Sequence, residues 1–465
     1  NHLGAVFNVV TKKGGNSFHG GGSLFWQTDS LTSTNVVVDG FGFKRDKFWN
    51  ATGQFGGPIW KDKIWFFASG EATRDSSTEP GIDPALAVTT IPNDSFDIKV
   101  TSQLGTSHEL SGFFHWAEFT YLDAPVSYAT TSSLGSEFGT NPAWGASLVS
   151  TLSTNFLLEL RYAGWWSDDF NLSQTGSFDE PFIDYTPPDG GPTTYSGGLW
   201  YPWDYVTWRQ QFSGKATLYT EEFLKSQHEF KFGVQYSKGS ARTNVGVGPT
   251  GSYSYHYYGY VYRSYRDPYQ YGGVSNDLGI FVDDTVTVNE RLTLNLGVRF
   301  DHNTGGIPDY DRLTIGEPSI SPAGLFTPTG DRVPGVPDLI NWNLVSPRIG
   351  FAFQPTGDGR SVIKGFFGIH YDQNVIGNWD FPPPGLPTQS YYLVDPDTGE
   401  LEFLYDITAE DQRPNKNMKT PRTTQFVIGY EQQLTDLITV GVQSVHKDTS
   451  DLIGWQIEGG VWESF

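Results

Sequence analysis

The chain has 465 residues, no cysteine and a net charge of −22 at pH 7. This excludes disulfide or thiolate–metal scaffolding and argues against nucleic acid as a partner. Aromatic residues make up 15% of a chain that is only 37% apolar, and 54 residues are glycine, a mixture that suits strands and turns and suits helices poorly.

Apolar runs reach only a few residues, so no transmembrane helix is expected. The length is large for one ordinary core unless that core is a barrel. The start, NHLGAVFNVV, and the end, VWESF, both read as interior to a longer polypeptide.

In chain order, strands are expected over about 17–28, 48–56, 62–70, 94–103, 107–118, 143–151, 155–166, 207–219, 227–236, 273–286, 290–300, 345–354, 361–371, 422–433 and 437–447. Period-two alternation carries the assignment. In HEFKFGVQY, Phe230, Phe232, Val234 and Tyr236 alternate with Glu229, Lys231, Gly233 and Gln235. In RLTLNLGVRF, Leu292, Leu294, Leu296, Val298 and Phe300 oppose Thr293, Asn295, Gly297 and Arg299. NFLLELRYAGW and SVIKGFFGIHY follow the same rule.

Such alternation fits a sandwich that buries its apolar face or a transmembrane barrel that turns that face to lipid. The connections separate the two. GGPIWKD, LGTS, LST, TEEFLKSQ, TVNE, PTGDGR and LTD are short. Between them fall long connections at about 29–47, 71–93, 119–142, 167–206, 237–272, 301–344 and 372–421. Strict alternation of short and long is unusual in a sandwich. It matches an outer-membrane barrel with short periplasmic turns and long external loops. In FGGPIWKDKIWFFAS, GGPIWKDK is then a periplasmic turn, Trp65 and Phe67 are expected at the membrane boundary, and Ile64 and Phe66 are expected to point inward.

Several stretches carry a family likeness. GAVFNVVTKKGGNSFHGGGSLFW (4–26) resembles the plug end and first barrel strand of TonB-dependent outer-membrane transporters. FGGPIWKDKIWFFASGE (55–71), DLGIFVDDTVTVNERLTLNLGVRFD (277–301), SPRIGFAFQPTGDGRSVIKGFFGIHYD (346–372) and TTQFVIGYEQQLTDLITVGVQSVHKDTSDLIG (423–454) are similar to hairpins of the Oar-like branch, whose members carry a carboxypeptidase-regulatory-like domain and a plug domain.

The resemblance implies an all-β, antiparallel transmembrane barrel of about 22 strands when complete, of which about fifteen lie here and about seven follow Phe465. It implies that 1–15 is the end of the plug and its linker, and that 16–465 is a partial barrel with long external loops. The implied partners are outer-membrane lipid, a TonB–ExbB–ExbD-type inner-membrane complex acting through an N-terminal segment not in this chain, and a large organic, peptide or protein cargo.

No catalytic, cofactor-binding or metal-ligating constellation stands out, and the chain does not read as an enzyme. DPDTGE (395–400) has too few ligands for a calcium loop and reads as a surface turn. SYSYHYYGYVYRSYRDPYQY suggests an external binding surface of Tyr255, His256, Tyr257, Tyr258, Tyr260, Arg263 and Arg266, since tyrosines give broad amphipathic contact and arginines can stack or meet anions. Glu159, Arg161, Glu229, Lys231, Arg299 and Lys364 are expected on the luminal face, because lipid exposure would be costly.

The leading expectation is energy-coupled transport across the outer membrane. A passive porin or adhesin-like barrel shares the strand pattern without a plug, and a secreted β-rich binding protein would use the aromatic loops alone.

Overall fold

The computed structural model describes residues 11–454 apart from 39, 79, 82–88, 124–127, 187–189, 317–324, 382 and 409–414. The apolar stretch expected to end the plug (4–10) and the terminal VWESF lie outside the described residues. What is described is almost wholly β, with three single-turn 3-10 segments.

Sixteen strands form one antiparallel sheet. They are His19–Gln27, Lys44–Trp60, Ile64–Thr78, Thr89–Leu104, His108–Leu122, Gly135–Thr140, Ala143–Ser153, Phe156–Ser173, Trp203–Phe223, Ser226–Val245, Tyr269–Asn289, Leu292–Ile307, Val336–Phe353, Ser361–Tyr371, Arg422–Thr435 and Ile438–Ser450. Each strand expected from the sequence overlaps one of these. The additional one, Gly135–Thr140, pairs with the same two neighbours as Ala143–Ser153. Pro142 lies between them and cannot donate to the ladder. Pairing follows chain order, and among the described residues the two end strands, His19–Gln27 and Ile438–Ser450, are each paired on one side only.

Connections at one end are tight: Lys61–Lys63, Gly105–Ser107, Thr154–Asn155, Leu224–Lys225, Glu290–Arg291, Gln354–Arg360 and Asp436–Leu437. Leu224 and Lys225 both adopt positive φ, 51° and 64°, as a two-residue hairpin that matches strand twist requires. At the other end several strands run well past the limits set by alternation. Trp203–Phe223, Ser226–Val245 and Tyr269–Asn289 are 20 or 21 residues long, so 237–245 and 269–272, read as loop, are sheet. Long strands continue beyond the apolar band because backbone pairing does not need apolar side chains.

Register sorts the two faces. Leu160, Gly214, Val234, Ile280, Phe300 and Val345 are successive partners across six strands. So are Leu158, Ala216, Phe232, Val282, Val298 and Pro347. These rows are open to the surroundings, with Ile280 51% and Val345 52% exposed. A continuous exposed apolar face of this extent is a membrane or partner surface. The buried apolar clusters sit elsewhere, at the long-connection end. One joins Ile307, Tyr310, Val333, Leu339, Ile340 and Trp379, and the other Leu172, Leu313, Leu325 and Phe326.

The faces of the strand Ile64–Thr78 are the reverse of the expectation. Trp65, Thr101, Ser111, Ser147 and Arg161 are successive partners, so Trp65 and Phe67 share the polar face. Phe66, Val100, Gly112, Ala146 and Tyr162 continue the apolar one, which places Ile64 and Phe66 outward. The boundary aromatic at this turn is instead Trp60, 59% exposed with the Lys63 ammonium 4.3 Å from its ring centroid. Residues 11–17, which the strand alone does not reveal, meet this face, with Asn16 accepting from the Trp65 indole at 2.7 Å, and make the inward placement favourable.

Candidate functional site: the polar face, the mouth cavity and the tyrosine sheet

The polar face carries charge in pairs. Glu159 accepts from Lys215 at 3.1 Å and Arg161 at 3.5 Å, Lys231 meets Glu229 at 2.8 Å, Arg299 meets Asp301 at 2.7 Å, and Lys364 meets Glu431 at 2.8 Å. All six charged residues singled out from the sequence lie on this face by register. The pairs lower the cost of gathering charge on one side of a sheet, although each half-exposed pair adds little stability.

Residues 11–16 lie against the same face. Lys99 donates to Thr11 Oγ1 at 2.9 Å, Lys12 to Gln54 at 3.0 Å and Lys13 to Glu109 at 3.0 Å. Asn16 donates to Asp62 at 2.5 Å, and its Oδ1 accepts from the Asp62 amide at 2.9 Å and the Trp65 indole at 2.7 Å. Gly14 sits so close to the Phe66 and Gly57 carbonyls that a Cβ would clash with backbone. Asn16→Ala is therefore expected to remove three hydrogen bonds and about 1–3 kcal/mol of local stability. Limited proteolysis should cut between residues 11 and 17 faster in this variant, with the sheet unchanged. An unchanged cleavage rate would show that the other contacts suffice.

At the long-connection end the segment Asp372–Phe381 folds back over the polar face. Asn374 donates to Asp277 at 3.2 Å and to the Thr304 carbonyl at 3.3 Å, and accepts from the Trp379 indole at 3.1 Å. Trp379 is 2% exposed. Its ring occupies a slot made by Gly273 and Gly305, where a Cβ would lie 2.6 Å and 3.0 Å from ring carbons.

Beneath this segment is a cavity of about 810 Å³. Trp165, Tyr201, Trp203, Tyr205, Tyr271 and Phe381 line it, together with Arg209 and Asp380. Arg209 is engaged by Ser237 at 2.8 Å and Asp277 at 3.6 Å. Burial pushes the Asp380 carboxyl up to about 6. Sequence patterns did not mark this site. The aromatic density of WYPWDYVTW (200–208) and GNWDF (377–381) is the one signal the chain offers for it, and only the fold brings the two runs together.

Six further strands build a second sheet from the long connections, in the order Thr194–Ser196, Phe182–Asp184, Ser252–Tyr257, Tyr260–Tyr265, Gln389–Val394 and Leu401–Ile407. The tyrosine-rich stretch is its central hairpin, and alternation divides the expected binding residues between its two faces. Tyr255, Tyr257 and Tyr260 join Tyr185, Tyr262 and Tyr405 around a concavity of about 840 Å³. Tyr255 stacks on Tyr262 at 5.0 Å, and burial raises its phenol to about 12.

His256 and Arg263 are on the opposite face, held by Asp184 at 2.8 Å and Glu180 at 2.9 Å. Tyr258 occupies the hairpin turn at φ 49°, and its amide donates to Thr186 at 2.8 Å. Arg266 lies beyond the hairpin, with its guanidinium 4.8 Å from the Tyr269 ring centroid. A single surface using all seven residues is thus not formed, because period two sends neighbours to opposite sides.

In DPDTGE, Asp395 accepts from the Asp397 and Thr398 amides at 2.9 and 2.8 Å. These donors hold its carboxyl below the usual range, as in a self-capped surface turn. Among the described residues no group of three His, Asp or Glu side chains is placed to hold a metal ion.

Comparison with known proteins agrees with this architecture. The chain is 23% identical to the TonB-dependent transporter Oar of Myxococcus xanthus, in a match covering 97% of this chain and 53% of that protein. The chain thus spans about half the length of this curated relative. The fold is similar to the outer membrane transporter YddB from Escherichia coli, with TM-score 0.57 and 12% identity over 87% of this chain and 47% of that one. It is also similar to the siderophore receptor PirA from Acinetobacter baumannii, with TM-score 0.55 and 12% identity over 95% and 54%. At such identity these two likenesses show the fold alone. The family described as "Outer membrane beta barrel domain" matches residues 10–90 and 84–455. The chain belongs to this outer membrane beta barrel domain family and is a multi-pass protein of the bacterial outer membrane.

Proposed function

We propose that the whole protein is a TonB-dependent, energy-coupled transporter of the Oar-like branch, moving a large organic or peptidic cargo across the outer membrane. The observation that carries this reading is the position of residues 11–16 on the polar face, pinned through Thr11, Lys12, Lys13 and Asn16. A chain that enters its barrel on the luminal side is arranged as the linker of a plug. Residues 1–15 are then the plug end and linker, and 16–465 the larger part of a barrel that closes at about 22 strands.

A plugged lumen cannot pass a large solute until the plug moves, and the outer membrane has no ready nucleotide supply. The work must arrive by contact with a TonB–ExbB–ExbD-type complex. Capture needs no such input, because the mouth cavity and the tyrosine sheet lie at the long-connection end.

The test uses the full-length protein with its inner-membrane contact segment deleted, offered a labelled peptide digest. Surface binding is expected to persist and translocation to stop. Undiminished translocation would overturn the energy-coupled reading in favour of a passive barrel.

A further inference from the structure

The mouth cavity is unbalanced in charge. Arg209, the cation on its wall, is already engaged by Asp277 at 3.6 Å and Ser237 at 2.8 Å. Asp380 has no such partner: it is 7% exposed, and among the described residues no cationic side chain pairs with it. A buried carboxylate without a counter-charge is costly, so its persistence in a binding cavity points to a charge brought by the ligand.

The rest of the wall suits the same charge. Trp165, Tyr201, Tyr205, Tyr271 and Phe381 surround the space, and Tyr271 and Phe381 meet edge to face at 5.5 Å. Aromatic faces attract cations, most strongly where water is excluded. A volume of about 810 Å³ is that of a small organic ligand or a few peptide residues.

We infer that this cavity is a binding site for an organic cation, an alkylammonium or guanidinium group on the cargo, with Asp380 as counter-ion and the aromatic wall as its cage. The inference rests on the reading of the protein as a cargo-capturing transporter and names the chemical class that the mouth selects. An anionic cargo is disfavoured, because it would face Asp380 while Arg209 is already satisfied.

The probe is Nα-acetylarginine amide, compared with its neutral citrulline counterpart, titrated calorimetrically into the full-length protein in detergent. The arginine amide is expected to bind at least about tenfold more tightly. Asp380→Asn, which keeps the shape, is expected to remove that preference by weakening the arginine amide alone at least about tenfold. Asp380→Glu should retain part of it. Heat-modifiability of each variant on gels reports whether the barrel has assembled.

Equal binding of both probes, binding of neither, or a preference that survives in assembled Asp380→Asn would overturn the site. The assay reads capture and not passage. A failed contrast therefore leaves the transport reading standing, and a protein that shows the contrast but moves cargo without inner-membrane energy would sink that reading and spare the site.

Discussion

Val234→Lys is expected to impair assembly severely, while Lys231→Gln, three residues away on the same strand, is expected to have little effect. Val234 lies in the exposed apolar row between Gly214 and Ile280. A lysine there must reach for water from within the hydrocarbon, at a cost of about 2–4 kcal/mol near the bilayer midplane. Against a typical domain stability of about 5–15 kcal/mol, that is a large share.

Lys231 faces the other way, paired to Glu229 at 2.8 Å with both groups partly exposed. Its loss leaves a carboxylate that water can reach, so about 0–1 kcal/mol is at stake. The folded, heat-modifiable fraction of each variant in outer membranes measures the contrast. Equal loss, or greater loss for Lys231→Gln, would reverse the face assignment.

The second large effect is expected at Trp379. Removing a fully buried tryptophan side chain costs about 3–5 kcal/mol, and here the indole also donates to Asn374. Trp379→Ala should therefore release the segment Asp372–Phe381 from the Gly273–Gly305 slot while the sheet, held by its own ladders, stays formed. Hydrogen exchange should show protection lost at Asn378, Trp379 and Asp380, whose amides are bonded within that segment, and retained in Tyr269–Asn289. Retained protection at Trp379 would mean that the hydrogen bonds of Asn374 suffice without the ring.

The same segment should respond to pH. The Asp380 carboxyl is raised to about 6 by burial, above the ordinary carboxylate value near 4. The docked state therefore binds the proton more tightly than the undocked one. Docking is strongest below the ordinary carboxylate value and weakens as pH rises through about 6, by at most about 3 kcal/mol in total. Exchange protection of the segment, corrected for the intrinsic rate, should fall from about pH 4 to about pH 6 and level off above. Arg209, Asp277 and the phenols of Tyr201, Tyr205 and Tyr271 also face or flank the cavity, so Asp380→Asn is the control that must flatten the profile. A profile unchanged by that substitution would place the titration on another carboxyl, with Asp277, which Asn374 contacts, the first candidate.

The sequence by itself determined fifteen of the sixteen strands of the main sheet, their order and the two kinds of connection. Each of these is local: alternation marks a strand wherever one face is apolar, as in Phe230–Tyr236, and a hairpin brings the next strand alongside. Alternation alone also puts Lys231 and Val234 on opposite faces.

Only the tertiary structure decided which face of a mixed strand looks inward. Trp65 and Phe66 are both greasy, so periodicity gives two faces but no sign, and contact with Thr11–Asn16 settles it. It also decided where the strands stop, because Trp203–Phe223 continues by backbone pairing beyond its apolar band. The tyrosine run was legible as a cluster but not as two faces of a hairpin, with His256 and Arg263 turned to Asp184 and Glu180. The mouth cavity was not legible at all. Its walls come from residues near 165, 205, 240, 271 and 380, and Asp380 acquires its character from burial where those runs meet. Burial of that kind comes from contacts distant in the chain, which no local pattern encodes.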